Sequence, residues 1–315
     1  MILNFLVGLV FMIIGAEAFL RGAGSLRERF AVPHFIVGLI VIGFGTSLPE
    51  LAISAGATAA GFETVALGLL LGSFIVNLAL LLGLCAAIKP IDLNRKVIGR
   101  DGATMVIGAS YLLVGTIMKP TGLIWPIIGF AVFALYCAMT LLEERSQAGA
   151  GVMAKKAEYL RQGPSEAILA MAILILGLGA IMFGGKKLVE GSVGYAADIG
   201  VPLTVIGLAL LALITSIPEA VISIHSAIKG QSDVAVANLL GSNIFNLLFV
   251  LPLCQLLMPT GQSFFAGPWT MHAFAALLVG LITYNFILGS RQLGRLDGAV
   301  FLLIYCGYIA AALYQ

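Results

Sequence analysis

The chain has 315 residues, 60% of them apolar and only 10% charged, with a mean hydropathy of +1.08. Soluble domains are about 45–50% apolar and about 25% charged, so this composition excludes a soluble enzyme, a disordered chain and a nucleic-acid binder. The net charge of +2 is uninformative as a sum; the placement of the charges is not.

Ten apolar stretches are long enough to cross a bilayer, which takes about 17–25 residues. The first covers residues 2–20. Ala16-Glu17-Ala18 has the form of a leader cleavage site, but no Lys or Arg precedes the run, as a signal peptide would require. The spans at 33–60, 65–88, 102–118 and 123–142 follow. Glu143 to Gly163 is the one sustained polar stretch, and Pro164, Ser165 and Glu166 then form a helix-start signal. The spans at 167–184, 202–228, 234–258, 272–288 and 296–314 complete the chain. This organisation predicts an all-α membrane protein: a first five-helix unit over 1–142, a linker over 143–164 and a second unit over 165–315. Cys85, Cys137, Cys254 and Cys306 lie far apart inside apolar runs and read as small apolar residues. His34, His225 and His272 are scattered, and none is given a role.

Basic residues fix the expected orientation. With the N-terminus outside, fourteen Lys and Arg fall on the inner side, and only Lys119, Lys186 and Lys187 fall on the outer side. Both termini are then outside and the linker is cytoplasmic. No obligatory protein partner is implied beyond the lipid bilayer.

The two halves align without a gap at an offset of 169 residues from Val32–Pro90 to Val201–Pro259. Thr46-Ser47-Leu48-Pro49-Glu50 falls on Thr215-Ser216-Ile217-Pro218-Glu219. Gly72, Ser73 and Asn77 fall on Gly241, Ser242 and Asn246. Five spans per half, an odd number, means that the second half enters the membrane from the opposite side. The prediction is two inverted five-helix repeats with broken second, third, seventh and eighth helices. Inverted repeats mark secondary transporters, whose substrates bind near the midplane between the repeats.

Glu50 and Glu219 are the only acids deep in apolar spans, and they are repeat equivalents. A charge at the bilayer centre costs about 2.5–3.5 kcal/mol on insertion scales. No Lys or Arg lies at matching depth, so the missing positive charge is expected to be a transported cation. Thr46, Glu50 and Ser54 recur at helical spacing with Ser47 alongside. Pro49 and Pro218 remove hydrogen bonds to the carbonyls of Gly45 and Ile214. Carboxylate, hydroxyl and carbonyl oxygens are the hard ligands that suit Ca2+ and Na+. Taken singly, Ser and Thr in such helices usually bond to their own backbone, Asn77 and Asn246 serve equally well as interhelical glue, and Gly68, Gly72 and Gly241 read as close-packing positions.

With the T-S-L-P-E and G-S-x-x-x-N motifs each present twice, the sequence resembles the Ca2+/cation antiporter superfamily, in its prokaryotic sodium/calcium exchanger-like branch. The resemblance implies that Glu50, Glu219, Thr46 and Thr215 hold Ca2+. It implies one flanking Na+ site from Ser47, Ser73 and the carbonyl of Gly43, and its mate from Ser216, Ser242 and the carbonyl of Ala212. Asn77 and Asn246 stand beside the centre, and an Asn at the second position argues against K+ co-transport. The first and sixth spans resemble a mobile pair that slides across the other eight. Two positions depart from the family pattern. Ile214 replaces a Gly at what should be a close helix crossing, and Leu69 replaces an Asn that Asn238 retains in the second half.

The expected function is exchange of Ca2+ for Na+ by alternating access, with no cofactor and no catalytic residues, in a prokaryotic inner membrane. Ca2+/H+ exchange on the same scaffold is the alternative reading, with a cation channel behind it. A hydrolase is disfavoured, because no Ser-His, Asp-Asp or HExxH set is present.

Overall fold

Apart from two short strands, the regular structure is helical in a computed structural model, which describes residues 2–30, 45–92, 95–147, 164–259, 261–289 and 292–313. The long helices are α1 (Ile2–Phe30), α2 (Leu48–Ala59), α3 (Glu63–Ile88), α4 (Arg95–Met118), α5 (Ile124–Gln147) and α6 (Pro164–Ile199). They continue with α7 (Leu203–Thr215), α8 (Ile217–Ile228), α9 (Ser232–Leu257), α10 (Thr270–Gly289) and α11 (Arg295–Leu313). Among the described residues eight helices are long and apolar enough to cross a membrane, and α7 with α8 makes a ninth, bent by 48°. Residues 33–44 of the expected second span, and with them Gly43 and His34, lie outside the described residues.

The helices α3 and α9 form the centre. Val65 to Ile75 and Ala235 to Asn246 are buried almost without interruption, the first a nearly all-apolar run and the second carrying Asn238, Ser242, Asn243 and Asn246 into the interior. Around them stand α2 and the bent pair α7–α8, and outside these α4, α5, α10 and α11 expose Ile107, Leu135, Phe274 and Leu303. Such apolar side chains on an outer surface are what a lipid-facing layer requires.

Glycine lets the inner helices touch. A Cβ on Gly72 would lie 2.2 Å from the carbonyl oxygen of Leu208, and one on Gly207 would lie 2.7 Å from that of Val65, so α3 and α7 meet backbone to backbone. The α1–α6 pair is built the same way along its whole length. Gly8 faces Gly184 and Leu188, Gly15 faces Gly177 and Ile181, and Gly22 faces Ala170 and Leu174. The partner number falls as the α1 number rises, so the two helices run antiparallel.

Two ends of the bundle are distinguishable. At one, β1 (Ile91–Asp92) pairs antiparallel with β2 (Gln292–Leu293), Lys89 Nζ donates to the carbonyl of Ile228, and Arg100 pairs with Asp101 and Glu143. At the other, Thr270 donates to the carbonyl of Thr116, and the Phe265 ring fills the space left by Gly115.

One expectation is revised. Helices α3 and α9 are not broken; each passes continuously through a π-helical turn, at Val76–Leu81 and Asn246–Val250. A wide turn keeps the backbone hydrogen-bonded where a break would leave buried carbonyls and amides unpaired. A third such turn occupies Ile206–Leu211 in α7. The free cysteines behave as expected for the most part: Cys85 and Cys254 are buried, Cys137 is half-buried and Cys306 is exposed.

Candidate cation site

The seventh span breaks at Ser216, and the described part of the second has the matching turn at Ser47. Ser47 (φ −88°, ψ 8°) and Ser216 (φ −79°, ψ 7°) end one helical segment and begin the next. Pro49 and Pro218 lie in the first turns of α2 and α8, where a missing N–H leaves nothing unsatisfied. Glu50 and Glu219 follow directly, so each carboxylate sits at the positive end of its helix.

Ser47-x-x-Glu50 and Ser216-x-x-Glu219 have the spacing of an N-terminal capping box, in which serine and glutamate satisfy their own helix. Neither does so here. Ser47 Oγ instead donates 3.2 Å across the molecule to Glu219 Oε1, which also accepts from Ser242 Oγ at 3.0 Å. Ser73 Oγ lies 3.4 Å from Glu50 Oε1 and 3.3 Å from Ser216 Oγ. Thr46 Oγ1 lies 3.3 Å from Ser242 Oγ and also faces Glu219, while Thr215 faces Glu50 and lies within 3.4 Å of the carbonyl oxygen of Ala212. Each half therefore supplies hydroxyls to the carboxylate of the other.

The cluster is dry and acidic. Thr46, Ser47, Glu50, Ser73, Asn77, Thr215, Glu219, Ser242 and Asn246 are all fully buried, and Ser216 is 1% exposed. The two carboxylates are near enough to repel one another. Among the described residues Glu50 Oε2, Glu219 Oε2, Asn77 Oδ1 and both amide atoms of Asn246 have no hydrogen-bond partner. Among the described residues neither carboxylate takes part in an ion pair. A buried carboxylate with no cationic partner is costly, by several kcal/mol per ion even after relaxation. The arrangement gathers two carboxylates with hydroxyl oxygens around them, the hard-oxygen chemistry that suits cations such as Ca2+ and Na+.

Of the candidate ligands singled out from sequence, all but Gly43 are described, and the structure brings the carboxylates and hydroxyls of both motifs to one place, while Asn77 and Asn246 are buried on the same central helices as Ser73 and Ser242. Ala212 is adjacent; its carbonyl accepts the Ser216 N–H at 3.1 Å and its Cβ packs where Gly72 leaves room. Ile214 is half-buried. Leu69 has a visible consequence. Asn238 donates to Ser223 Oγ at 2.9 Å and to the Glu219 carbonyl at 3.3 Å, whereas Ser54, the equivalent of Ser223, has a buried hydroxyl without a partner. Sequence reasoning missed Asn243, which accepts from Asn77 Nδ2 at 3.0 Å. The register argument hid it, because its repeat equivalent is Phe74. Its spacing of three from Asn246 on a central helix was the available signal. His225 is exposed, and His272 bonds Tyr308 away from the motifs.

Comparison with known proteins agrees with this geometry. The sodium/calcium exchanger protein family matches residues 1–143 and 169–314. The putative antiporter CaxA of Alkalimonas amylolytica is 30% identical over 308 residues, 96% of this chain and 95% of that one. The sodium/calcium exchanger MaX1 of Methanosarcina acetivorans is 27% identical across 99% of each chain. Among solved structures, the sodium-calcium exchanger NCX_Mj soaked with Na+ and Ca2+ superposes with a TM-score of 0.67 at 27% identity, over 98% of this chain and 97% of that one.

Proposed function

The chain belongs to the sodium/calcium exchanger family, and from that premise we propose that it is a multi-pass membrane antiporter moving Ca2+ against Na+ by alternating access. The observation that carries the reading is the pair of buried carboxylates, one from each motif, each with an outer oxygen that finds no hydrogen-bond partner among the described residues. Glu50 and Glu219, with Thr46 and Thr215, hold Ca2+. Ser47, Ser73 and the Gly43 carbonyl hold one Na+, and Ser216, Ser242 and the Ala212 carbonyl hold another. Asn77 and Asn246 complete the centre with neutral oxygens.

The scaffold in this reading is ten spans in two inverted repeats, over 1–142 and 165–315, joined by the cytoplasmic linker 143–164. Two features support the inversion. Repeat-equivalent helices α1 and α6 run antiparallel through successive glycines. The loops assigned to the inner face from their basic residues, around Lys89, Arg100, Lys229 and Gly294, meet at one end of the bundle. Both termini then lie outside, in a prokaryotic inner membrane.

The chemistry follows from charge. With both carboxylates ionised the site carries −2, and one Ca2+ or two Na+ neutralises it. Carrying the bare −2 past an apolar barrier is heavily penalised, and each 1.4 kcal/mol of penalty slows that transition about tenfold. Ca2+ therefore leaves only when Na+ replaces it. In proteoliposomes loaded with radiolabelled Ca2+, external Na+ should release the label, and medium lacking both Na+ and Ca2+ at neutral pH should not. Fast release without a counter-ion would identify a channel or uniporter, and release driven only by protons would identify Ca2+/H+ exchange.

A further inference from the structure

The two asparagines of the site are held differently. Asn77 Nδ2 donates to Asn243 Oδ1 at 3.0 Å, and Asn243 Nδ2 is itself 3.4 Å from the backbone carbonyl of Phe74. This two-link chain runs from the backbone of α3, through a side chain of α9, back to a side chain of α3. Its end is Asn77 Oδ1, which is fully buried and has no partner. An amide whose NH2 is tied must present its oxygen on the opposite side, so the tether decides that Asn77 offers an acceptor rather than donors. Asn77 is also one helical turn beyond Ser73, whose hydroxyl meets Glu50.

The mirror-image tether is missing. The repeat equivalent of Asn243 is Phe74, whose ring points instead toward α10, 3.3 Å from where a Cβ on Gly280 would stand. Asn246 accordingly has neither its oxygen nor its nitrogen bonded. Both asparagines occupy the start of a π-helical turn, so the difference between them lies in the neighbour and not in the backbone.

We propose that Asn243 is a positioning residue that locks the Asn77 carbonyl oxygen toward the cation site, so that Asn77 is a fixed acceptor for the bound cation while Asn246 is a rotatable one. The proposal rests on the exchanger reading for the identity of the cation, and its test separates the two. Groups that orient a metal ligand from behind typically cost about 10–100-fold in affinity when removed. Asn243→Ala should weaken Ca2+ binding by about tenfold or more on that basis, measured by calorimetry on the purified protein in detergent. In proteoliposomes it should raise the half-saturating Ca2+ concentration and leave the saturated exchange rate unchanged, the pattern of lost uniform binding. Because Asn243 acts through Asn77, the double variant Asn77→Ala/Asn243→Ala should bind no more weakly than Asn77→Ala alone.

A merely structural tie between α3 and α9 would lower the melting temperature without that non-additivity. Unchanged Ca2+ affinity in Asn243→Ala, or additive losses in the double variant, overturns the proposal. If Asn243→Ala does not fold, Asn243→Ser is carried through the same cycle and judged by the same criteria. If the wild type binds Ca2+ but fails to exchange it for Na+, the exchanger reading falls while the affinity cycle still decides the role of Asn243.

Discussion

Replacing Glu219 by Gln removes one unit of charge and almost no volume, so its effect on cation binding can be worked from electrostatics. At an effective dielectric of about 20, unit charges about 4 Å apart interact by about 4 kcal/mol, which doubles to about 8 for a divalent ion. Part of this is offset because a neutral amide is less costly to bury than a carboxylate. That offset is the same whichever cation binds, so it cancels in the comparison of Ca2+ with Na+. The difference of about 4 kcal/mol per ion means that the loss of affinity for Ca2+ is about a thousandfold larger than the loss for a single Na+. Folding should survive. Ser47 and Ser242 both donate to Glu219 Oε1, which the amide oxygen can replace, and the new NH2 takes the place of an oxygen that had no partner. Glu50→Gln should behave likewise, since the amide oxygen can replace Glu50 Oε1 as the acceptor for Ser73 Oγ, 3.4 Å away. Calorimetry of Ca2+ binding, with Na+ binding read from thermal stabilisation, tests this. Ca2+ affinity within tenfold of wild type in either folded variant would refute the two-carboxylate site.

Gly72→Ala should lower both stability and Ca2+ affinity. Its Cβ would meet the Leu208 carbonyl at 2.2 Å and Ala212 Cβ at 2.7 Å, so α3 and α7 must part beside Ser73; overpacking of this kind costs about 1–3 kcal/mol, read as a loss of melting temperature. Gly179→Ala, where a Cβ meets nothing within 4 Å, is the matched control and should be silent. Cysteine placed at Gln147 should react with an impermeant thiol reagent only from the cytoplasm, and cysteine at Gln315 only from outside, in a background lacking the exposed Cys306. Labelling of both from one side would end the inverted-repeat reading.

Glu50 and Glu219 were legible because a charge in an apolar run is expensive, and a second one in register cannot be accidental. The same register made Thr46, Ser47 and Ser73 legible through Thr215, Ser216 and Ser242. Features without a mate in the other half were not visible. Asn243 stands opposite Phe74, and the consequence of Leu69 appears only once Asn238 is seen bonding Ser223. The π-helical turns left no mark either, since a wide turn changes hydrogen-bond spacing and demands no residue type. Nor could spacing show that Ser47 serves Glu219 in place of its own helix. The local pattern was that of a capping box, and tertiary contact redirected it.

That redirection bears on how such a molecule can open. Because Ser47 reaches Glu219 and Ser73 reaches Ser216, the halves are joined through the site itself, and pulling them apart would dismantle it. Access must instead change by moving something that is not part of the cluster. The α1–α6 pair meets that condition. The two helices are bound to each other by backbone contact at Gly8, Gly15, Gly22, Gly177, Gly184 and Gly191, so they move as one body or not at all. Against the rest of the bundle Phe19 and Ile181 pack with Leu48, Gly185 is set against Ala52 and Ile53, and Met12, Leu188 and Val189 join the main core. Leu48 and Ala52 are each two residues from Glu50 in α2. In the exchanger reading proposed above, a slide of the pair across that contact would uncover an approach to the carboxylates, and the hydroxyls proposed to hold the cations would stay where they are.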